Sequence, residues 1–306
     1  MRIGMTGAGS GPEAVVRQAQ RAEADGFTSL WFASAILGDP LVGMALAGQS
    51  TERIELGTSV LVTYACHPVL QAKRVAAVAA AIGTPGRLTL GIGPSHDVVV
   101  EGALGLSYST VGQHVEEYVE IVTTLLRGEP VAFSGKEFRA NADPPSLVGD
   151  EPIPVLLGAL APRSLRVAGR HAAGTILWMG NAVAIRDHIA PRLTASASDA
   201  GRPAPRIVAG LPIAVHDDVA EARETAAKQF AIYDTLPNYQ RLMARGGVSS
   251  AADVAVVGNE ESVAEQIRVL FDAGMTDLWA APFAVGEDAT GSRARTRALL
   301  SELARS

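Results

Sequence analysis

Eight short apolar segments, separated by longer stretches of helical periodicity, place the strongest limit on how this chain can fold. None of them alternates polar with apolar residues, which is typical of parallel strands covered on both faces. Eight such strand–helix units predict an α/β protein whose sheet closes into a (β/α)8 TIM barrel, with an open doubly wound sheet as the alternative. The predicted strands are Ile3–Met5, Ser29–Ala33, Ile54–Val62, Leu88–Gly93, Pro154–Leu157, Thr175–Met179, Ile207–Val215 and Asp277–Ala281.

A weak internal repeat supports the same architecture. Gly26–Trp31 resembles Gly274–Trp279, and Gly174–Trp178 is a shorter version of the same unit. Each copy reads as a helix end, a glycine turn and a strand, and Glu13–Asp25 before the first copy has apolar residues at helical spacing. Repeated helix–strand units of this kind favour a barrel.

The length of 306 residues fits one such barrel, and we expect a single domain over 1–306 with two insertions in βα loops. The first insertion lies near 129–152 and contains a predicted hairpin, Val131–Phe138. The second lies near 236–258 and is predicted to be irregular or helical. Long βα excursions of a barrel lie over its catalytic face.

Composition excludes several classes of function. The net charge is −6 and no basic stretch is present, so we expect no nucleic-acid partner. No apolar run reaches the roughly 18 residues of a membrane span, and no signal peptide is evident. The single cysteine, Cys66, and the lack of a metal-ligand cluster predict a cytoplasmic protein without a metal site.

Three successive βα loops carry the candidate site. Leu56–Leu61 precedes the first loop, Gly91–His96 forms the second, and Gly158–Ser164 forms the third. Glycines let a ligand approach the strand ends closely, and a helix N-terminus after small residues can bind an anion. Each loop also fits an ordinary βα connection. Together, on one face of a barrel, they predict a site for an elongated, phosphate-bearing ligand.

His96 is the first candidate for acid–base chemistry, because it follows the fourth strand directly and an imidazole titrates near neutral pH. A lone histidine in a loop is as often merely solvated. Tyr64, His67 and His114 are weaker candidates.

In order and spacing, four segments resemble the luciferase-like monooxygenase superfamily, and specifically its branch of oxidoreductases that use the deazaflavin coenzyme F420. These segments are Leu56–Leu61, Gly86–Gly93, Glu116–Tyr118 and Ala173–Trp178. The resemblance implies a bacterial luciferase-like barrel, a homodimer, and a non-proline cis peptide in the third strand, here Ser59–Val60. The residues that it implies in coenzyme binding are Ser34, Ser59, Val60, Gly93, His96, Gly158, Ala159, Leu160, Trp178, Met179, Gly180 and Asn181.

The chain departs from the sugar-phosphate dehydrogenases of that branch at two places. Their Asp-His pair after the second strand is Ser34-Ala35 here, and His96 stands where they carry a glutamate. These changes argue against sugar-phosphate oxidation.

We therefore expect hydride transfer between C5 of the deazaflavin and a small organic substrate, with reduction of an activated C=C or C=N bond and His96 as proton donor. One alternative is an FMN-dependent luciferase-like monooxygenase, and a second is a non-catalytic barrel that binds the coenzyme. Apolar loop residues suggest a hydrophobic or aromatic substrate. These residues are Ile36, Leu37, Val98, Val99 and Val100.

Overall fold

The computed structural model describes residues 1–7, 11–33, 39–146 and 151–306, and its main sheet closes into a barrel. The strands are β1 (Arg2–Gly7), β2 (Ser29–Phe32), β3 (Glu55–Thr58), β4 (Leu61–Val62), β5 (Leu88–Gly93), β6 (Val131–Ser134), β7 (Arg139–Ala142), β8 (Val155–Leu157), β9 (Gly174–Trp178), β10 (Arg206–Val215), β11 (Val256–Gly258) and β12 (Asp277–Pro282). Strands β1, β2, β3, β5, β8, β9, β10 and β12 pair in parallel in that order, and β12 pairs with β1. The predicted (β/α)8 barrel is confirmed.

Helices cover the outside of the barrel and fill the longer loops. They are α1 (Pro12–Ala24), α2 (Pro40–Gln49), α3 (Pro68–Ile82), α4 (Asp97–Val100), α5 (Val111–Leu126), α6 (Pro162–His171), α7 (Ala182–Ala184), α8 (Ala190–Asp199), α9 (Val219–Gln229), α10 (Pro237–Arg245), α11 (Ala251–Val254), α12 (Glu260–Asp272) and α13 (Ala289–Arg305). Short 3-10 turns span Thr63–Ala65 and Ala231–Thr235, and a π turn at Ile185–Ile189 joins α7 to α8. In the described part of the chain, no helix has the length and apolarity to cross a membrane.

The third barrel strand is interrupted, which corrects the prediction of one continuous strand over Ile54–Val62. Thr58 Oγ1 donates to the Gly91 carbonyl (2.7 Å) and accepts from the Gly91 amide (2.9 Å). Because this hydroxyl occupies the Gly91 amide and carbonyl, the backbone hydrogen bonds between β3 and β5 do not continue past it. β3 therefore ends at Thr58, and β4 resumes the pairing with β5. A Cβ added at Gly91 would lie 1.9 Å from the Thr58 carbonyl oxygen, so the close approach requires glycine.

The barrel interior is filled by large rings set against small residues. Trp31, Ile176 and Trp279 belong to one buried cluster inside the ring of strands. A Cβ at Gly210 would lie 2.2 Å from the Trp279 ring and 2.7 Å from the Trp178 ring. The interior is therefore a packed core, and ligands must bind at its open end.

A network of ion pairs closes the end of the barrel where its strands begin. Arg2 and Arg206 both contact Asp277 (2.6 and 2.7 Å) and Glu55 (2.5 and 2.9 Å). Thr89 Oγ1 donates to Glu55 (2.5 Å). Each charge has a partner of opposite sign, which is the condition for keeping carboxylates at this depth. We call these five residues the floor network.

Two insertions extend from the barrel. A hairpin forms where one was predicted, because β6 and β7 pair antiparallel, but its second strand lies beyond the predicted Val131–Phe138. The hairpin joins α5 to β8, which corrects the prediction that this insertion follows a strand in a βα loop. The second excursion contains α10 and α11, as predicted, but it also contains β11, which pairs with β10 and was not expected. A strand of three residues is too short for its pattern to be separated from a loop.

Glu117 fixes the hairpin to α5, and we expect Glu117→Gln to lower the free energy of unfolding by about 1–3 kcal/mol. The buried Glu117 carboxylate accepts from the backbone amides of Lys136, Glu137 and Phe138 (2.8, 2.9 and 2.9 Å). A glutamine loses the charge and places an amide N–H among these donors. Urea unfolding measures the loss, and Glu137→Gln on the exposed surface is the matched control. Equal midpoints for both variants would contradict this role.

Candidate active site

The third, fourth and fifth strands of the barrel (β3 with β4, then β5, then β8) end at one surface of small residues. Gly158 N donates to the Ile92 carbonyl (2.7 Å). A Cβ added at Gly93 would lie 3.0 Å from the Val60 side chain and 3.9 Å from the Gly158 Cα. The structure therefore brings together Val60, Gly93 and Gly158, three of the residues predicted in the site. A bound ring can approach the backbone closely here.

The Ser59–Val60 peptide is cis, so the predicted position of the non-proline cis bond is confirmed. Ser59 N donates to the Phe32 carbonyl (2.8 Å), which ties this segment to β2. The Ser59 hydroxyl is buried, and none of the residues in 1–7, 11–33, 39–146 and 151–306 makes a hydrogen bond to it. A buried hydroxyl without a partner carries a free-energy cost that a polar ligand atom would remove.

The loop after β8 leads into helix α6. Ala159 is fully buried, and the Leu160 carbonyl lies 2.8 Å from His188 Nε2 and 3.3 Å from an Arg245 nitrogen. Arg163, in the first turn of α6, pairs with Glu116 (2.9 Å). Arg245, from the second excursion, is the cation that sequence reasoning missed at this loop.

The segment after β9 is tied to the second excursion. Met179 has a left-handed backbone (φ 60°), and its amide donates to the Gly210 carbonyl (3.0 Å). Asn181 caps α7 by accepting from Ala184 N (3.0 Å) and donates to the Gly246 carbonyl (2.9 Å). The Asn181 side chain therefore holds loops in place. Gly180 lies between these two anchors.

Aromatic rings from β9, from the turn Ala231–Thr235 and from α10 lie at the mouth. The Trp178 ring centroid lies 5.1 Å from Trp279 and 5.9 Å from Tyr233. Tyr233 contacts Tyr239 edge to face (5.0 Å), and Tyr239 lies 6.0 Å from the His96 ring. A continuous series of rings thus runs from the barrel interior to His96.

His96 lies just beyond β5 and is half-buried at the start of α4. Desolvation lowers its pKa below that of an ordinary histidine, against the opposing effect of the Asp97 carboxylate. The neighbouring Ser95 has a left-handed backbone (φ 64°), and its carbonyl accepts from the Tyr108 hydroxyl (2.9 Å). The Tyr108 bond therefore fixes the backbone just before His96, and Tyr239 lies beside the imidazole ring.

The weaker candidates have other partners. The His114 ring stacks on Tyr64 (3.7 Å, 2°), and its Nε2 lies 3.0 Å from Thr63 Oγ1. Burial lowers the His114 pKa to about 4, so this ring is neutral at physiological pH. His67 is exposed and caps α3 through the Val69 amide.

Ser34, another predicted coenzyme contact, lies outside the described residues, as do Ile36 and Leu37. Tyr108 and Tyr239 were missed by the sequence reasoning. Tyr108 lies in the same loop as His96, and an aromatic residue in a polar loop was the only available signal. Tyr239 gave none, because its approach to His96 depends on how α10 folds back.

Comparison with known proteins identifies similar chains. A family model described as luciferase-like monooxygenase matches residues 2–277. An F420-dependent glucose-6-phosphate dehydrogenase of Nakamurella multipartita is 27% identical and covers 88% of this chain and 86% of its own. An F420-dependent hydroxymycolic acid dehydrogenase of Mycobacterium tuberculosis is 30% identical over 68% of this chain and 61% of its own. The solved coenzyme F420 dependent tetrahydromethanopterin reductase of Methanopyrus kandleri superposes with a TM-score of 0.76 at 20% identity, covering 98% and 96%.

Proposed function

The chain belongs to the luciferase-like monooxygenase family, and from that membership we propose that it is an F420-dependent oxidoreductase acting on a small organic substrate. The curated relatives named above are F420-dependent dehydrogenases, which supports oxidoreduction with this coenzyme. The observation that carries the proposal is the surface formed by Val60, Gly93 and Gly158 beside the buried Ser59 hydroxyl, to which no described residue makes a hydrogen bond.

The residues at the strand ends fit a flat, polar-edged coenzyme. Ser59 offers a hydroxyl that has no hydrogen-bond partner in the described part of the chain, and Gly93 and Gly158 leave room that a side chain would fill. When bound, coenzyme F420 supplies a two-electron hydride donor or acceptor at C5 of its deazaflavin ring. Ser59 and Val60 would support the ring. The phosphate-bearing tail would lie along Gly158, Ala159 and Leu160 towards Trp178, Met179, Gly180 and Asn181.

His96 supplies the proton in this proposal. Reduction of an activated C=C or C=N bond adds a hydride to one atom and a proton to its neighbour, so an acid must stand at the second atom. An imidazolium nitrogen of His96 gives that proton to the substrate and recovers one from water. Desolvation lowers the His96 pKa against the opposing effect of the Asp97 carboxylate, so the imidazolium is a stronger acid than that of an ordinary histidine, although a smaller fraction of it is protonated at neutral pH.

A hydrophobic or aromatic substrate belongs to the same proposal. Val98 and Val99, two and three positions after His96, are 67% and 38% exposed, and apolar side chains in the same short helix favour an apolar molecule. Ser34-Ala35 and His96 stand in place of the acid–base residues of sugar-phosphate dehydrogenases, which argues against that substrate. A cytoplasmic homodimer completes the proposal, and light scattering on the purified protein tests the dimer.

Titration with oxidised F420, and separately with FMN, tests the coenzyme by quenching of cofactor fluorescence. We expect binding of F420 and no comparable binding of FMN. Gly158→Val should weaken F420 binding at least tenfold, because its methyl groups enter the small-residue surface, whereas Ala132→Val on the exposed hairpin should not. Preference for FMN would favour the monooxygenase alternative. Binding of neither would overturn the proposal, and binding without turnover of reduced F420 across a substrate panel would favour a non-catalytic barrel.

A further inference from the structure

Two tyrosines from separate parts of the chain approach His96 and its loop. Tyr108 lies between α4 and α5, and its hydroxyl donates to the Ser95 carbonyl (2.9 Å). Burial raises the Tyr108 pKa to about 12, so the phenol keeps its proton and remains a donor at physiological pH. Ser95 has a left-handed backbone (φ 64°), which a residue with a side chain adopts reluctantly. The Tyr108 bond therefore stabilises an otherwise disfavoured turn just before His96.

Tyr239 approaches from the opposite part of the mouth, on α10. Its ring centroid lies 6.0 Å from that of His96 at an interplanar angle of 48°. Tyr233 supports it edge to face (5.0 Å, 80°). Just after α10, the Gly246 carbonyl accepts from Asn181 and ties this part of the excursion to the loop after β9. The Tyr239 ring is thus held where it limits the movement of the imidazole and excludes water from it.

We propose that Tyr108 and Tyr239 are positioning residues for His96, Tyr108 through the backbone of Ser95 and Tyr239 through packing against the imidazole. Neither phenol is given a proton-transfer role. The inference rests on the proposed function only for its effect on turnover. Placement of the imidazole can be measured in the protein without coenzyme or substrate.

The groups around His96 determine in which direction its pKa should change when Tyr239 is replaced. Asp97 adjoins it in sequence at the start of α4, Glu101 follows at the end of that helix and accepts from the Tyr108 amide, and Tyr239 faces the ring from α10. Among these groups, the Asp97 carboxylate is the one whose charge acts on the His96 pKa, and its effect is to raise that pKa. Desolvation is the larger effect and lowers it. Admitting water in place of Tyr239 must therefore raise the pKa.

The first test compares Tyr239→Leu with Tyr239→Phe by NMR titration of histidine-labelled protein, with the His96 signal assigned from its loss in His96→Gln. We expect the His96 pKa to rise in the leucine variant and to stay at the wild-type value in the phenylalanine variant, which keeps the ring. With reduced F420, the leucine variant should lose about tenfold in kcat, while KM for the coenzyme stays the same. Identical His96 titration in both variants and wild type would overturn the role of Tyr239.

The second test removes one hydroxyl, in Tyr108→Phe. The amides of Val99 and Val100 donate to the His96 carbonyl (3.0 and 2.9 Å), so their hydrogen exchange reports on this turn. We expect exchange about fivefold faster in Tyr108→Phe. Tyr64→Phe is the matched control for this readout, because the Tyr64 hydroxyl is buried and makes no hydrogen bond to any residue that the structure describes. Unchanged exchange in Tyr108→Phe would overturn the role of Tyr108.

The two proposals fail separately. If F420 does not bind but His96 titration and loop exchange change as expected, the positioning roles stand and the coenzyme proposal falls. If F420 turnover is present while both NMR readouts stay at wild-type values, the positioning roles fall and the proposed function stands.

Discussion

His96→Gln is expected to retain binding of coenzyme F420 and to lose roughly 100- to 10,000-fold in kcat for the reduction, because a positioned acid contributes about that much. Glutamine keeps hydrogen-bonding capacity at this place but cannot deliver a proton. Steady-state kinetics with reduced F420 and a substrate found by screening measure the loss. Fluorescence titration checks that the coenzyme still binds.

The pH profile adds a second criterion. Desolvation lowers the His96 pKa, so the limb on which kcat falls with rising pH should lie below the range of an ordinary histidine. This limb should be missing in His96→Gln. His171→Gln, in the last turn of α6, is the matched control and should retain both kcat and the limb. Full turnover by His96→Gln would remove His96 from the role of proton donor.

Asp277→Asn is expected to be the most destabilising single change in the floor network, at about 3 kcal/mol, the lower end for a broken buried ion pair, because Arg2 and Arg206 then have Glu55 as their one shared carboxylate in this network. Asp277 is 1% exposed and contacts both Arg2 and Arg206. Urea unfolding at pH 7 measures the difference. Asp217→Asn, in the exposed pair with Arg295, is the control and should leave the urea midpoint nearly unchanged.

The loss of stability at acid pH should depend on the same network. Burial alone would raise the Asp277 pKa, but its contacts with Arg206, Thr276 and Arg2 outweigh this and hold the pKa below its ordinary value. The stabilisation is therefore complete above the unfolded-state pKa of about 4 and is lost as the pH falls through the folded-state value. Wild-type stability should drop more steeply below pH 4 than that of Asp277→Asn. Parallel curves would show that Asp277 is not the group responsible.

The strands of the barrel could be predicted because helices and core cover both faces, which leaves continuous apolar segments such as Leu88–Gly93 and Ile207–Val215. The break in the third strand could not be predicted from that pattern. The break depends on the Thr58 hydroxyl, which takes the place of backbone hydrogen-bond partners at Gly91. Thr58 is buried like the other residues of β3, so its burial does not distinguish it. The strand β11 was missed because three residues are too few to show a hydrophobic periodicity.

The candidate site was predictable in one respect. Residues that follow successive strands lie side by side in any closed barrel, so Val60, Gly93 and Gly158 could be grouped from their order alone. Contacts made by the excursions could not. Tyr239 reaches His96 only because α10 folds back across the mouth, and Arg245 reaches the Leu160 carbonyl for the same reason. The local periodicity of the sequence does not predict that α10 folds back in this way.

The floor network lies at one end of the barrel, and the small-residue surface lies at the other, with the packed interior of Trp31, Ile176 and Trp279 between them. Sites so far apart and without shared partners contribute additively to stability. Substitutions at the mouth can accumulate without weakening the ion pairs that close the opposite end. Such a scaffold is a good starting point for directed evolution, since loops around His96 can be randomised to accept new substrates while the protein keeps its thermal tolerance.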